Sequence, residues 1–443
     1  MINRKYYSGK YNPYKINEIL FDHRCGYWKL IPDNFGKENT FWLVVMSLFS
    51  VAKCFGSALF IPRKSSVKDL FCKKILFVLP TLNNQRSLQK VIDILKNEKG
   101  NVRVSTRHFY SKIHVALISL LCLPFLWKEF QKHSKDEKRM TLHNIYSFVL
   151  VPGLVSSYFH ILKKYKPECI VLSNDHIYLT KSLALVCEDL GIKTIYVQHA
   201  SVSYAFPELH FAYSFLDGKD SVLKYTAEGK KCASDIIMLG AARYDALGAC
   251  RINRKPGKRN CIGVAINELD DNKTANDFCN ELLARYPHVR IKIRTHPGMK
   301  NKPFVFDNKD RIIYTCATDE SIIDYLDSID FQVSGDSGVH LDAILGGVST
   351  IAYNFTESVL SDNYEYIKRG LVKYATDIDQ IFEFAHQSPD VSVVRYYDES
   401  YQKSYSGNCS QIIAEFILNG YSLDYLKSNY GLTKENEYYV INN

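Results

Sequence analysis

Short apolar strands alternate with amphipathic helical segments twice along this chain. The first series includes the apolar runs Ile75–Leu79, Cys169–Leu172 and Thr194–Val197, and a second series extends from the strand Cys261–Ile266 to the strand Ser349–Tyr353. Strands that are apolar throughout are typical of parallel sheets with helices on both faces. The sequence therefore predicts an α/β fold built from two doubly wound domains.

The length of the chain supports the same division. It has 443 residues, and a single hydrophobic core rarely grows beyond roughly 250–300 residues. A basic stretch containing Pro and Gly, residues 249–260, is the best candidate for a linker. We expect a leader or membrane-proximal segment at 1–70, an N-terminal domain at 71–250, a C-terminal domain at 260–420 and a C-terminal tail at 421–443.

Composition excludes several classes of protein. The net charge of +9 is spread along the chain instead of forming the dense basic stripe of a nucleic-acid-binding protein, so no nucleic-acid partner is expected. The 12 cysteines contain no Cys-x-x-Cys pair, and the N-terminus lacks the apolar core and cleavage site of a signal peptide. We therefore expect reduced thiols and a cytoplasmic location, and the mild positive charge suits anionic ligands or an anionic membrane face.

Two apolar segments raise the question of a membrane. Residues 41–61 are long enough to span a bilayer, but Lys53 lies well inside them, which favours a buried or interfacial helix over a spanning one. The run Val115–Trp127 is too short to span and contains Pro124. A cluster of basic residues follows it: Lys128, Lys132, Lys135, Lys138 and Arg139. Peripheral attachment to anionic lipid and a core helix followed by a solvated loop explain this pattern equally well.

In the predicted second domain, two polar loops follow strands directly. Arg294-Thr295-His296-Pro297 contains a histidine whose backbone is held extended by the following proline, and its arginine fork suits phosphate. Ser334-Gly335-Asp336-Ser337 precedes a predicted helix and combines hydroxyl groups with a flexible backbone. Ligands of open parallel sheets bind beyond the carboxyl ends of strands, so both loops are candidates for one phosphate site. Each loop alone also has an ordinary explanation as a turn or a helix cap.

In the predicted first domain, Asp175 and His199 follow neighbouring strands and could act as a general base on an acceptor hydroxyl. Arg243 follows the last strand before the linker, where it would contact phosphate or pair with Asp245. No metal site is expected, because the carboxylates after the strand Cys261–Ile266 have no further ligands at a suitable spacing.

These motifs, in this order, resemble those of GT-B glycosyltransferases over roughly residues 75–420. The nearest resemblance is to bacterial surface-polysaccharide enzymes: sialyl- and polysialyltransferases, capsule Kdo transferases and CDP-glycerol glycerophosphotransferases. The segments that carry it are Val197-Gln198-His199, Leu239-Gly240-Ala241-Ala242-Arg243-Tyr244-Asp245, Arg294-Thr295-His296-Pro297 and Ser334-Gly335-Asp336-Ser337. The chain departs from the family pattern where Ala200 replaces a glycine, Ala242 replaces a proline, and Gly335-Asp336 separates two serines that are often adjacent.

The resemblance implies two Rossmann-like domains that face a central cleft, an acceptor domain at 71–250 and a nucleotide-sugar donor domain at 260–420. By analogy, the donor would be held by Arg243, Arg294, His296, Pro297, Ser334, Gly335, Asp336 and Ser337, with His296 also assisting catalysis. Asp175 or His199 would be the base.

The expected activity is inverting, metal-independent transfer of a sugar from a CMP- or CDP-linked donor to a capsule or lipopolysaccharide acceptor, a glycan or glycolipid, at the cytoplasmic face of the inner membrane. No bound cofactor is expected. Two alternatives remain open: a CDP-polyol phosphotransferase or a UDP-sugar epimerase of the same architecture, and a non-catalytic membrane scaffold.

Overall fold

The computed structural model describes residues 74–442 apart from 99–100, 144, 205, 229, 231, 248–259, 301–303 and 309, together with a few residues between 41 and 71. The predicted linker at 249–260, apart from Asn260, and most of the segment 41–61 therefore lie outside the described residues. The chain divides into two compact units. The first contains residues 1–216, 222–237 and 413–442, and the second contains residues 217–221 and 238–412.

The first unit is built on an eight-stranded sheet. Its strands are β1 Ile75–Val78, β2 Val102–Ser105, β3 Cys169–Leu172, β4 Lys193–Val197, β5 Tyr213–Leu216, β6 Asp235–Met238, β13 Thr433–Glu435 and β14 Tyr438–Val440. They lie in the order β13-β14-β6-β5-β4-β3-β1-β2, and the pairs β1–β2, β1–β3, β3–β4 and β4–β5 are parallel. Strands β1 and β3 are buried along their whole length, which explains why they appear in the sequence as unbroken apolar runs.

Helices connect these strands. They are α1 Leu82–Glu98, α2 Lys112–Lys132, α3 Lys135–His143, α4 Ile145–Tyr165, α5 Tyr178–Leu190 and α6 Lys219–Tyr225. Helix α5 ends at Gly191, which adopts the left-handed conformation (φ 66°) that a residue with a side chain rarely takes. The predicted C-cap is confirmed.

Among the residues that the structure describes, two helices are long and apolar enough to cross a membrane by length and composition alone: α2, whose most apolar stretch is 33% buried, and α4, whose most apolar stretch is 72% buried. The prediction that the run 115–127 is too short to span was wrong about the length of the helix. Helix α2 covers 21 residues, because the helix continues through the polar residues on both sides of the apolar run and tolerates Pro124 within it.

The second unit is built on a six-stranded sheet, in the order β12-β11-β10-β7-β8-β9, in which every pairing is parallel. Its strands are β7 Cys261–Ile266, β8 Arg290–Thr295, β9 Ile312–Cys316, β10 Phe331–Ser334, β11 Thr350–Tyr353 and β12 Lys373–Ala375. Its helices are α7 Asn272–Arg285, α8 Ile322–Asp327, α9 Val339–Leu345, α10 Ile378–Phe384 and α11 Val391–Tyr397. Two apolar cores cover the sheet, and Val264, Val333 and Ile351 lie fully buried within one of them.

After the second unit the chain returns to the first. Helix α12 (Cys409–Leu418) brings Phe416 against Tyr213 and Phe215 of strand β5, with ring centroids 5.0 and 5.3 Å away. Helix α13 (Leu423–Tyr430) and the antiparallel hairpin β13–β14 follow, and β14 lies beside β6. Residues 421–442, which we expected to form a separate tail, thus complete the first sheet.

Candidate functional site

Three loops of the second unit follow the carboxyl ends of neighbouring strands. They are residues 267–271 after β7, 295–299 at the end of β8 and 335–337 after β10, and these strands lie side by side in the order β10-β7-β8. Parallel strands direct their carboxyl ends to one edge of the sheet, so the loops share that edge. The Asn267 side chain also joins two of them, because its Nδ2 donates to the backbone oxygen of Asp336 at 3.3 Å.

His296 is presented at this edge with its side chain half exposed. Its backbone is extended (φ −58°, ψ 146°), as expected before a proline, and Pro297 begins a short 3₁₀ turn that ends at the buried Met299. The Gly298 N–H donates to His296 Nδ1 at 3.2 Å. A Cβ at Gly298 would overlap Oε1 of Glu268, so a side chain at this position would displace the exposed Glu268 carboxylate.

The same His296 nitrogen lies 3.3 Å from Glu268 Oε1. Nδ1 cannot accept from Gly298 and donate to Glu268 at once, and a backbone N–H can only donate. The neutral imidazole therefore carries its proton on Nε2, which can donate to an anionic oxygen.

Asp270 lies behind these loops and is almost fully buried. Its Oδ2 accepts from the Asn267 N–H at 2.8 Å, and its Oδ1 lies where a side chain on Gly335 would have to go. Burial raises the pKa of Asp270 to about 7, and the nearby charge of Asp336 also raises it. The backbone hydrogen bond from Asn267 lowers the pKa, but its effect is smaller than that of burial. A carboxyl group that is partly protonated near neutral pH thus supports the 335–337 loop.

His340 holds the 335–337 loop through its hydrogen bond to the Gly335 carbonyl oxygen. This residue was not identified from the sequence. The imidazole is buried, with Nδ1 2.6 Å from the Thr350 hydroxyl and Nε2 2.9 Å from the Gly335 carbonyl oxygen. Burial lowers the pKa of His340 to about 4, so the ring is neutral. The Gly335 oxygen can only accept, so the proton is on Nε2 and Nδ1 accepts from Thr350.

Ser334 and Asp336 of the second predicted phosphate loop have hydrogen-bond partners within their own unit. Ser334 is fully buried as the last residue of β10, and its hydroxyl donates to the Ala265 carbonyl oxygen of β7 at 2.8 Å. Asp336 Oδ2 accepts from both the backbone and the side chain of Asn363, at 3.1 and 2.6 Å. Of the two predicted phosphate-binding serines, only Ser337 is partly exposed, and its Oγ lies 3.4 Å from the Val339 N–H.

Arg294 also contacts groups of its own unit. Its side chain is buried, its Nη1 donates to the backbone oxygens of Glu320 and Ser321 at 3.0 and 3.4 Å, and its guanidinium lies 5.3 Å from the centre of the Tyr325 ring. Arg294 thus donates to groups of its own unit, whereas His296 follows the end of β8 and its side chain is half exposed.

Arg243 pairs with Asp217 and not with Asp245. Its two terminal nitrogens donate to the two carboxylate oxygens of Asp217 at 2.9 and 2.5 Å, and the pair is buried. Asp245 instead accepts from the backbone N–H groups of Cys409 and Ser410 at 2.9 and 2.8 Å. A phosphate at Arg243 would have to compete with a bidentate carboxylate.

In the first unit, Asp175 follows β3 and forms a pair with its neighbour. His176 Nδ1 lies 3.0 Å from Asp175 Oδ1, and the Tyr225 hydroxyl donates to Oδ2 at 2.6 Å. Burial alone would raise the pKa of Asp175, but the hydrogen bonds from His176 and Tyr225 and the charge of His176 outweigh it and hold the pKa below its ordinary value. Asp175 is therefore an ionised, fully buried carboxylate that fixes the His176 ring.

His176 is the functional candidate that sequence reasoning passed over, although it stands next to Asp175. Its side chain is 23% exposed, it stacks on His199 with ring centroids 6.3 Å apart, and Phe206 lies edge-on at 5.3 Å. With Nδ1–H directed at Asp175, the basic lone pair lies on Nε2. The predicted base residues Asp175 and His199 thus lie together, with His176 between them.

Comparison with known proteins shows the fold. No protein-family model and no curated protein sequence match the chain. Among solved structures, UDP-GlcNAc 2-epimerase from Neisseria meningitidis bound to UDP-GlcNAc is 16% identical, has a TM-score of 0.50, and is matched over 78% of this chain and 99% of that chain. At this identity the likeness shows the fold alone: two α/β units with parallel sheets, of the GT-B type.

Two other solved structures also match the chain, at lower TM-scores. UDP-GlcNAc 2-epimerase from Methanocaldococcus jannaschii in complex with UDP-GlcNAc and UDP is 14% identical, with a TM-score of 0.47 and coverage of 78% of this chain and 99% of that one. MurG from Acinetobacter baumannii is 10% identical, with a TM-score of 0.42 and the same coverage. The α/β units of this chain and the match to the Neisseria structure confirm the predicted fold class, and the resemblance to sialyl-, Kdo and CDP-glycerol transferases stays a prediction.

Proposed function

We propose that this protein is an inverting glycosyltransferase that transfers a sugar from a CMP- or CDP-activated donor to a hydroxyl group of a capsule or lipopolysaccharide glycan. The observation that carries the proposal is the pair Asp175–His176, because a carboxylate that orients an imidazole is the arrangement of a general base. The GT-B type of fold is compatible with this activity and does not select it.

In the proposed reaction, His176 Nε2 accepts the proton of the acceptor hydroxyl. The acceptor oxygen forms a bond to the anomeric carbon of the donor, and the bond between that carbon and the phosphate oxygen breaks. The nucleotide leaves with the electron pair, and Asp175 stabilises the imidazolium that has formed. His199 remains the alternative base, and Asp175 acts through His176 as a positioning residue.

On the donor side, His296 is the residue best placed to bind phosphate. Its Nε2–H can donate to a phosphate oxygen and stabilise the charge that develops as the nucleotide leaves. The hydrogen bond from Gly298 and the neighbouring Pro297 hold the ring in place, so little side-chain freedom is lost on binding. Ser337 would add a hydroxyl donor.

The donor is tested by titrating the protein with CMP, CDP and UDP in a calorimeter and by incubating it with matching sugar donors, with and without glycan acceptors. We expect binding of a cytidine nucleotide and transfer that requires acceptor and continues in the presence of a metal chelator. Absence of binding to all three nucleotides would favour the scaffold alternative, and transfer of a polyol phosphate would favour the phosphotransferase.

The base is tested with His176→Gln and Asp175→Asn. We expect His176→Gln to lower transfer by about 10²–10⁴-fold while leaving nucleotide binding unchanged, since general base catalysis contributes about that much. Asp175→Asn should also lower the rate while leaving nucleotide binding unchanged, because the imidazole loses the carboxylate that orients it. His288→Gln, an exposed histidine of the second unit, is the matched control.

The histidine of the donor side needs its own variant. His296→Ala should weaken nucleotide binding and lower transfer, and full transfer by this variant would refute the donor role. A His176→Gln enzyme with normal transfer would instead refute the choice of base and move it to His199.

A second candidate, a UDP-sugar epimerase, is favoured by the match to 99% of the Neisseria epimerase chain. It differs from transfer in needing no acceptor. Conversion of a UDP-sugar to its epimer by the protein alone would establish it and refute the transferase proposal.

A further inference from the structure

Helix α2 is apolar on two opposite faces. One face is buried and contains Val115, Ile118, Cys122 and Leu126, and it packs on α4. The other face carries large apolar side chains that are 46–62% exposed: Ile113, Leu117, Leu120, Leu121 and Trp127. We call these five residues the α2 outer stripe.

The spacing of the outer stripe shows that it is one continuous surface. Its members lie at intervals of three, four and seven residues, which places them on one side of a helix with 3.6 residues per turn. Monomeric proteins rarely expose contiguous apolar patches, and such patches mark protein or membrane contacts. Single exposed apolar residues elsewhere in the chain need no such explanation.

Positive charge flanks the stripe. Between residues 112 and 135 the chain has four lysines, Lys112, Lys128, Lys132 and Lys135, and one acidic residue, the buried Glu129, which pairs with Lys132 at 2.6 Å. All four lysines are exposed. Lys128 lies on the same side of the helix as the stripe, since it follows Leu117 and Leu121 by eleven and seven residues.

We propose that the α2 outer stripe is a membrane-binding surface that lies in the plane of an anionic bilayer, with its leucines among the acyl chains and its lysines at the lipid head groups. Trp127, at the lysine-rich end, suits the interface between head groups and acyl chains. The combination of an apolar face with adjacent basic residues is that of helices that lie on a membrane.

The charges argue for a bilayer over a second copy of this chain. In a symmetric dimer formed through the stripe, the same surface of both copies would meet. The lysines around both stripes would then be brought together, and like charges repel. An anionic bilayer provides opposite charge for the same residues.

The packing of α2 argues for an in-plane helix over a spanning one. Its inner face is fixed to α4, whose most apolar stretch is 72% buried. Crossing the membrane would require α2 to leave α4 and to bring Lys112 or Lys132 through the bilayer. Lying flat preserves these contacts and requires no charge to cross.

This surface is independent of the proposed reaction, and its test needs no substrate. The full chain is mixed with vesicles of phosphatidylglycerol and phosphatidylcholine, or of phosphatidylcholine alone, and the fraction that floats with the vesicles is measured at low and high salt. We expect binding to the anionic vesicles, weaker binding at high salt, and little binding to the neutral ones.

Two sets of variants locate the surface. Leu117→Asp/Leu121→Asp should lower the partition coefficient at least tenfold, since both side chains are exposed and their replacement leaves the buried face intact. Lys112→Gln/Lys128→Gln should lower it on the order of tenfold or more, because each lysine near an anionic surface contributes about fivefold. The matched control is Val305→Asp/Val359→Asp, two residues of the second unit that are 65% and 90% exposed.

The outcomes separate the alternatives. Equal flotation of the wild type and the leucine variant, or equal binding to neutral and anionic vesicles, would overturn the proposal. A wild type that is dimeric, does not float, and becomes monomeric in the leucine variant would assign the stripe to a second copy. Circular dichroism of the leucine variant verifies its fold, and the lysine variant tests the same surface with no change in apolar residues.

Discussion

Replacement of Asp270 by asparagine tests how a buried carboxyl group links the second unit to pH. Asp270 is 8% exposed, and burial raises its pKa from 3.8 to about 7. Asparagine has almost the same shape, keeps an oxygen for the Asn267 N–H, and cannot ionise. The substitution therefore removes the titration while it preserves the packing against Gly335.

The direction in which stability changes with pH follows from proton binding. Between its unfolded and folded pKa values, Asp270 is protonated in the folded protein and ionised in the unfolded chain, so the folded state binds more protons and the free energy of unfolding falls as the pH rises. The contribution is fully present below about pH 4 and is lost as the pH rises through about 7. The difference between 3.8 and about 7 corresponds to about 4 kcal/mol, of which about 3 kcal/mol falls between pH 5 and pH 8.

The assay is urea unfolding of the wild type and Asp270→Asn, followed by circular dichroism at about pH 5 and pH 8. Between about pH 5 and pH 8, we expect the free energy of unfolding of the wild type to fall by about 3 kcal/mol more than that of the variant. Trp42 and Trp127, the tryptophans among the described residues, lie in the first unit, so tryptophan fluorescence provides a reference that the substitution should leave unchanged. If the wild type and the variant lose the same stability over this range, the raised pKa and the reasoning from burial are wrong.

The remaining predictions concern buried partners in the second unit. Asp217→Ala should lower the free energy of unfolding by about 3–5 kcal/mol, because it leaves Arg243 buried without this carboxylate. Asp379→Ala removes an exposed partner of Arg285 and should lower it by less than about 1 kcal/mol. Equal losses of the two variants in urea unfolding would contradict the buried pairing of Arg243 with Asp217. His340→Ala should cost about 2–4 kcal/mol by leaving buried polar groups unpaired, and it should also weaken nucleotide binding through the 335–337 loop. Calorimetry with unchanged affinity would show that the histidine stabilises the fold alone.

The sequence predicted the sheets better than the side chains. Strands such as Cys261–Ile266 are buried on both faces and appear as apolar runs, so their positions could be identified without a structure. The hairpin β13–β14 could not, because Thr433–Glu435 is a short, polar and fully exposed strand. Strand β2 (Val102–Ser105) was missed for a similar reason, since it is four residues long and partly exposed.

The loops carrying site residues were also found, but not the direction of each side chain. Ser334 and Arg294 lie within strands, where a side chain packs inside the unit, and not in the loops that follow. Sequence patterns locate the end of a strand only to within a few residues, so they could not assign these two positions to the strands. His340 reaches Gly335 only because α9 packs beside β10, and no local motif signals that contact. The pairing of Asp175 with His176 had a local signal, two adjacent polar residues after a buried strand.

The return of residues 413–442 to the first unit has a consequence for biosynthesis. These residues leave the ribosome only after the whole second unit, residues 238–412, which takes roughly ten to thirty-five seconds to make. During that interval β6 has no β14 beside it, and an unpaired strand edge is a template for pairing with other chains. The nascent protein is therefore most vulnerable to aggregation while the second unit is being translated, and slow translation of that unit would lengthen the exposure.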